Sequence, residues 1–284
     1  MIAITGATGQ LGRLVIDQLL QNTPAKQIVA VVRNPAKAAD QVARGIAVRA
    51  AAYTEPAALQ NAFTGVEKLL LISSSEIGQR TAQHLNVINA AKHAGVKLLA
   101  YTSILHADTT PMDLAPEHLE TEKAIKVSGI PFVILRNGWY TENYTASVGA
   151  AVANGAVIGS AGNGRISSAA RADYAAAAVA ALTGAAKTGQ TYELVGDTAY
   201  TLTELAAEIS RQTGKNIPYH NLPEADYSGI LLKIGLPPVL ATGLASWDVC
   251  TSHGALFDES RQLSKLIGHP TTPLAVSVKA ALNG

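Results

Sequence analysis

Along the first 135 residues, short β-branched and aliphatic runs alternate with helix-length segments of mixed polarity. The apolar runs are Ile2–Thr5, Ile28–Val32, Leu69–Ile72, Leu98–Tyr101 and Phe132–Leu135. None alternates polar with apolar positions, so each reads as a strand of a parallel sheet covered on both faces. Helices are predicted over Gln10–Gln21, Pro35–Arg44, Pro56–Phe63, Gln79–Ala94 and Pro116–Ser128. Pro35, Pro56 and Pro116 sit near helix starts, where a missing N–H is no loss. A weaker strand at Ala47–Arg49 completes the first half of the sheet, and right-handed crossovers leave few other ways to join such units. The expected fold is α/β, a Rossmann-type doubly wound parallel sheet.

Beyond Leu135 the regularity fades. Helices are expected over Glu142–Ala153, Asp173–Leu182 and Thr203–Gln212, with a strand at Thr191–Val195 and a Gly/Ser-rich turn at Gly159–Gly164. This half reads as a smaller α/β C-terminal substrate lobe. The expected division is a dinucleotide-binding domain over 1–137 and the lobe over 138–284, with elements of the second part free to cross back into the first. The apolar stretch Ile230–Ile234, with Leu236 and Leu240, reads as a lid, an interface or plain structure.

Composition narrows the classes. With 284 residues, 48% of them hydrophobic, the chain can bury a large core. A net charge of +1 and the lack of a basic run argue against nucleic acid as a partner. Cys250 is the single cysteine, which rules out an intramolecular disulfide and suits a reducing compartment. Met1–Ile4 runs straight into a glycine turn with no signal or transit segment, so the expectation is a cytoplasmic protein. Ala175–Ala178 is far too short an apolar run to span a bilayer.

The chemistry begins at Gly6-Ala7-Thr8-Gly9-Gln10-Leu11-Gly12, between the first strand and the first helix. In that context the three glycines are specific. The first permits a tight turn, the second lets backbone N–H groups approach a pyrophosphate, and the third allows strand and helix to pack closely. The second strand ends in Val32-Arg33-Asn34, where an NAD enzyme would usually place a carboxylate for the ribose diol. Arg33 suits a 2′-phosphate better, which favours NADP(H), with a solvated surface arginine as the alternative. Lys37 can assist or be an ordinary surface lysine.

Further candidates gather at the carboxyl edge of the sheet. Ser73, Ser74 and Ser75 after the fourth strand can line the cofactor ribose or form a helix cap. The loop after the fifth strand carries His106, a candidate substrate contact. Asn137, Gly138, Trp139, Tyr140, Thr141 and Glu142 follow the sixth strand near the expected nicotinamide. Trp139, Tyr140 and Tyr144 can hold a planar substrate or simply pack, and Asn143 can hydrogen-bond a carbonyl. Lys123 is a candidate catalytic group that would reach the ribose, or a surface lysine. His118 and Glu122 have a metal-ligand spacing but lack a third ligand, so no metal is expected.

These residues resemble the atypical short-chain dehydrogenases of the NmrA-like family. The resemblance rests on Gly6–Gly12, Val32-Arg33-Asn34-Pro35 and Leu135-Arg136-Asn137-Gly138-Trp139-Tyr140, and it extends over most of the chain. It implies NADPH as hydride donor and a quinone as acceptor. It also implies phosphates on Gly6–Leu11, Arg33 at the 2′-phosphate, Ser73–Ser75 beside the ribose and Asn137–Glu142 around the nicotinamide. Arg171 falls near the cleft by the same analogy, or else caps its helix in an ion pair with Asp173. Ordinary short-chain dehydrogenases carry a proton-donating tyrosine four residues before their lysine, whereas Leu119 stands four before Lys123. That departure favours an acceptor needing no dedicated acid, such as a quinone. It also leaves open a regulator that senses NADP(H) without turnover.

Overall fold

The computed structural model describes residues 1–283. Strands and helices alternate through the first half: β1 (Ile2–Thr5), α1 (Gln10–Leu19), β2 (Ile28–Val32), α2 (Ala39–Ala43), β3 (Ala47–Ala50), α3 (Pro56–Ala62), β4 (Lys68–Leu71), α4 (Arg80–His93), β5 (Leu98–Ile104), α5 (Ala115–Val127) and β6 (Phe132–Asn137). The second half continues with α6 (Glu142–Thr145), α7 (Val148–Asn154), β7 (Val157–Gly159), α8 (Arg171–Thr183), β8 (Gln190–Leu194) and α9 (Leu202–Thr213). It ends with β9 (Tyr219–Asn221), α10 (Glu224–Lys233), α11 (Pro238–Ser252), α12 (Gln262–Ile267) and α13 (Leu274–Asn283).

Seven parallel strands form one sheet in the order β3-β2-β1-β4-β5-β6-β8. The order reverses between β1 and β4, which opens a crevice at their carboxyl ends where such sheets bind ligands. One face is covered by α1 and α8 through Val15, Ile16, Leu19 and the alanines of α8. Those alanines let α8 lie close to both sheet and α1, and each fully buried aliphatic such as Ile16 contributes about 1.5–3 kcal/mol. The other face is covered by α3, α4 and α5 over Phe63, Tyr101 and Ile134. A third apolar cluster, containing Leu205, Ile209, Leu256 and Val278, forms the core of the smaller lobe beneath β7 and β9.

The chain after residue 137 contributes to both parts, since α8 and β8 belong to the large sheet and its cover. Two local departures from the pattern have plain causes. The segment expected as one helix over Glu142–Ala153 is two helices, because the Ser147 hydroxyl donates to the Tyr144 carbonyl (2.8 Å) and the ladder tightens there to an i−3 bond. Strand β6 runs on to Asn137, which puts Arg136 inside the sheet with three carboxylates to meet it.

Candidate dinucleotide site

At the carboxyl edge of the sheet lies a cleft of about 970 Å³, walled by the β1–α1 turn, the end of β2, the loop after β4, and α6 and α8. The turn is built for close approach. Gly6 has φ +59°, the left-handed region that glycine enters without strain. A Cβ on Gly12 would stand 2.4 Å from the Gly6 carbonyl oxygen, so only glycine lets the helix close onto the turn. The α1 N-terminus carries no side-chain cap and no acidic residue in its first turn, leaving its N–H groups and dipole directed at the cleft. A bare helix N-terminus behind a glycine turn fits a pyrophosphate.

Gly6, Thr8, Gly9, Gln10, Leu11 and Gly12 all line the cleft, while Ala7 is fully buried behind the turn. Arg33 lines it from the end of β2 with its side chain 71% exposed, and Lys37 stands beside it. Lys37 lies on a 3₁₀ turn, Pro35–Ala38, capped by the Asn34 side chain accepting from the Ala36 N–H at 3.0 Å. Arg13 braces that turn by donating to the Lys37 carbonyl at 2.8 Å and pairing with Asp40.

Ser73, Ser74 and Ser75 line the opposite wall, and the Ser74 peptide is clamped from both sides. Its N–H donates to His84 Nε2 at 2.9 Å and its carbonyl accepts from Arg80 Nε at 2.8 Å. Glu117 holds Arg80 in turn, accepting from its backbone N–H at 3.0 Å and lying 3.5 Å from its guanidinium. Burial pushes His84 down to about 3, so its ring is neutral and free to accept.

The segment after β6 splits by direction. Tyr140 and Asn143 face the cleft. Arg171 lies over the Tyr140 ring at 4.6 Å, and Tyr174 meets the same ring edge-on at 5.3 Å. Burial raises the Tyr140 hydroxyl above its ordinary value, so the phenol stays protonated. Glu142 accepts from the Arg171 N–H with both oxygens, at 2.9 and 3.0 Å, and so caps α8. The expected alternative pairing of Arg171 with Asp173 is absent, because Thr272 donates to Asp173 from both its N–H and its hydroxyl.

The remaining candidates lie outside the cleft lining. Trp139 turns into the lobe and meets Trp247 edge-on at 5.8 Å, while Tyr144 packs on Tyr200 with its hydroxyl buried and unpaired. Thr141 bonds Ser168 at 2.8 Å, Asn137 is buried, and Gly138 sits where a Cβ would be 3.0 Å from the Tyr174 hydroxyl. Lys123 is exposed on α5, whose inward stripe is His118, Thr121, Glu122 and Ile125, and it does not reach the cleft. His106 adopts φ +50°, lies 3.1 Å from Asp258, and receives no place in the cleft wall. Among the described residues no group of three His, Cys, Asp or Glu is placed to hold a metal.

Residues 6–184 match the profile of a family described as NAD(P)H-binding. The chain belongs to that family. It is 61% identical over 283 residues to Quinone oxidoreductase 2 of Escherichia coli (strain K12), a match covering 100% of this chain and 99% of that protein. The structure of the Escherichia coli NADPH-dependent quinone oxidoreductase complexed with NADPH superposes with a TM-score of 0.97, at 61% identity and with all of both chains covered. That of the Citrobacter sp. triphenylmethane reductase complexed with NADP(H) gives 0.96 at 40% identity, covering 99% of this chain and all of that one.

Several cleft residues carry no sequence signal of their own. Tyr53 follows the short strand β3 and donates its hydroxyl to the Ile72 carbonyl at 2.8 Å, tying the two cleft walls together. Glu76, Arg80 and Gln83 enter from the α4 side, and nothing in their spacing distinguishes them from a solvated helix start. Their position follows from β1 and β4 being neighbours, a tertiary fact.

Proposed function

We propose that this protein passes hydride from NADPH directly to a quinone, without flavin. The observation that carries the reading is the single cleft running from the Arg33 guanidinium, past the bare N-terminus of α1, to Tyr140 and Asn143. The full-length similarity to an NADPH-dependent quinone oxidoreductase supports it over a regulator without turnover. NADPH, when bound, supplies the two electrons as hydride. The glycine turn would neutralise its pyrophosphate, Arg33 its 2′-phosphate, and the clamped Ser73–Ser75 turn would contact a ribose. Tyr140, fixed by Arg171 and Tyr174, offers a flat wall, and Asn143 offers an amide donor to an acceptor oxygen gaining negative charge.

The chemistry asks little of acid–base groups. The hydride carries both electrons and one proton to the quinone, leaving NADP⁺ and a delocalised hydroquinone anion that water can protonate. The protein's contribution is then proximity and orientation, with Tyr140 and Asn143 lining the cleft.

The decisive experiment follows NADPH absorbance with the purified protein and a small soluble quinone, no flavin added, alongside NADH and an Arg33→Ala variant. Steady consumption that prefers NADPH, with the preference lost in the variant, is expected. Binding of NADPH without any consumption across a panel of quinones would overturn the reductase reading in favour of a sensor.

A further inference from the structure

The residue at the end of β2 is an arginine, yet a carboxylate stands beside it from another element. Glu76, just after the Ser73–Ser75 turn, brings its Oε1 to 2.6 Å from Arg33 Nη1, across the cleft. Its Oε2 accepts from Gln83 Nε2 at 2.7 Å. Gln83 is 5% exposed on α4, so one side of the carboxylate is anchored to a rigid helix while the other bridges to β2. The Glu76 N–H donates to the Ser74 hydroxyl at 3.2 Å, which fixes the backbone as well. Both charged residues line the cleft.

We infer that Glu76 is a dinucleotide-selectivity residue: its carboxylate competes with a 2′-phosphate for Arg33 and offers a ribose diol the acceptor that NADH requires. The inference rests on the reading of Arg33 as the 2′-phosphate residue. With side chains 71% and 45% exposed, the pair is worth little as a structural bond, so exchange of partners at Arg33 is cheap. A phosphate carrying close to two negative charges must nevertheless settle beside an anchored carboxylate, which repels it. A diol has the opposite relation, since its hydroxyls donate to carboxylate oxygen and Arg33 then serves only as counter-ion. The acidic group that NAD enzymes usually place at the end of the second strand is thus supplied from the β4 side, against the guanidinium of the residue that follows β2. The result is a site that prefers NADPH by less than Arg33 alone would make it.

The test is equilibrium titration of NADP⁺ and NAD⁺ onto the full chain, read by calorimetry, for the wild type, Glu76→Gln and Arg33→Ala. Glu76→Gln should tighten NADP⁺ by about three- to tenfold and weaken NAD⁺ by about twofold, with the gain shrinking as salt is raised. Glu76→Ala, which also lacks the hydrogen bond to Gln83, should move NADP⁺ in the same direction. Unchanged or weaker NADP⁺ binding in both Glu76 variants, while Arg33→Ala still loses NADP⁺ affinity, overturns the inference alone. If Arg33→Ala binds NADP⁺ as well as the wild type, the underlying reading of Arg33 fails instead.

Discussion

Asn143 presents an exposed amide to the cleft three residues after Tyr140, while Trp139 and Tyr144, equally suggestive in sequence, are turned into the lobe. The difference is directional. The Gly138 N–H donates to the Leu194 carbonyl (2.8 Å) and the Thr141 N–H to the Ala169 carbonyl (2.8 Å), which fixes the backbone that carries Trp139 and Tyr140, while Asn143 and Tyr144 are successive residues of α6 and so point about 100° apart. If Asn143 stabilises charge developing on the acceptor, Asn143→Ala should lower kcat by about tenfold and change the NADP⁺ dissociation constant by less than about twofold. Steady-state kinetics paired with titration checks this, and equal losses in both quantities, or in neither, count against the role. Lys123 shows the opposite lesson. Its spacing after Leu119 invites comparison with a catalytic lysine, but helix phase places it on the solvent side of α5.

At the scale of elements, α4 and α5 are joined by buried polar groups rather than by apolar stripes alone. His84 accepts the Ser74 N–H at Nε2, which leaves its proton on Nδ1, facing the Thr121 hydroxyl at 2.9 Å. The Thr121 hydroxyl in turn donates to the Glu117 carbonyl at 2.8 Å. His118 faces the Tyr101 hydroxyl at 2.7 Å. Burial pushes both histidines down to about 3, against about 6.5 when unfolded. These two groups therefore bind fewer protons in the folded than in the unfolded state between those values, and their contribution to stability falls as pH drops from about 6.5 towards 3, partly offset by Asp248, whose carboxyl burial pushes up to about 6. Each histidine should remove about 2 kcal/mol between pH 7 and pH 5. Urea unfolding at the two pH values measures the drop, and His118→Gln should shed about half of the histidine share. A drop no smaller in the variant would show that His118 is not held neutral.

At the scale of the whole molecule, Arg136 ties four elements at one point. It donates twice to Glu122 on α5, both at 2.9 Å, to Glu193 on β8 at 2.8 Å, and to Asp108 in the loop after β5 at 3.0 Å. Those carboxylates hold the guanidinium firmly protonated. Glu122 is 1% exposed and also accepts from the Ser103 hydroxyl at 2.6 Å, so it depends on this buried counter-ion, with the half-exposed Lys126 ammonium 3.5 Å away as a second. Arg136→Met should cost about 3–5 kcal/mol by leaving a buried carboxylate short of its partner, and adding Glu122→Gln should restore part of that. Chemical denaturation of the two single variants and the double variant checks the coupling. Strict additivity would mean that Arg136 and Glu122 are not coupled.

The apolar runs and the glycine turn determined the parallel sheet, its crossovers and the glycine-lined end of the cleft, because strand burial and left-handed backbone are local demands written in residue type. Arg33 follows the second strand in the sequence, and in the fold it lines the cleft. Tertiary structure alone decided the rest: that β8 returns to the large sheet, that Tyr140 and Asn143 face the cleft while Trp139 and Tyr144 do not, and that Glu76 meets Arg33. Strand order and helix phase bring those groups together across 43 or more residues, as from Arg33 to Glu76, and no local pattern encodes such a distance.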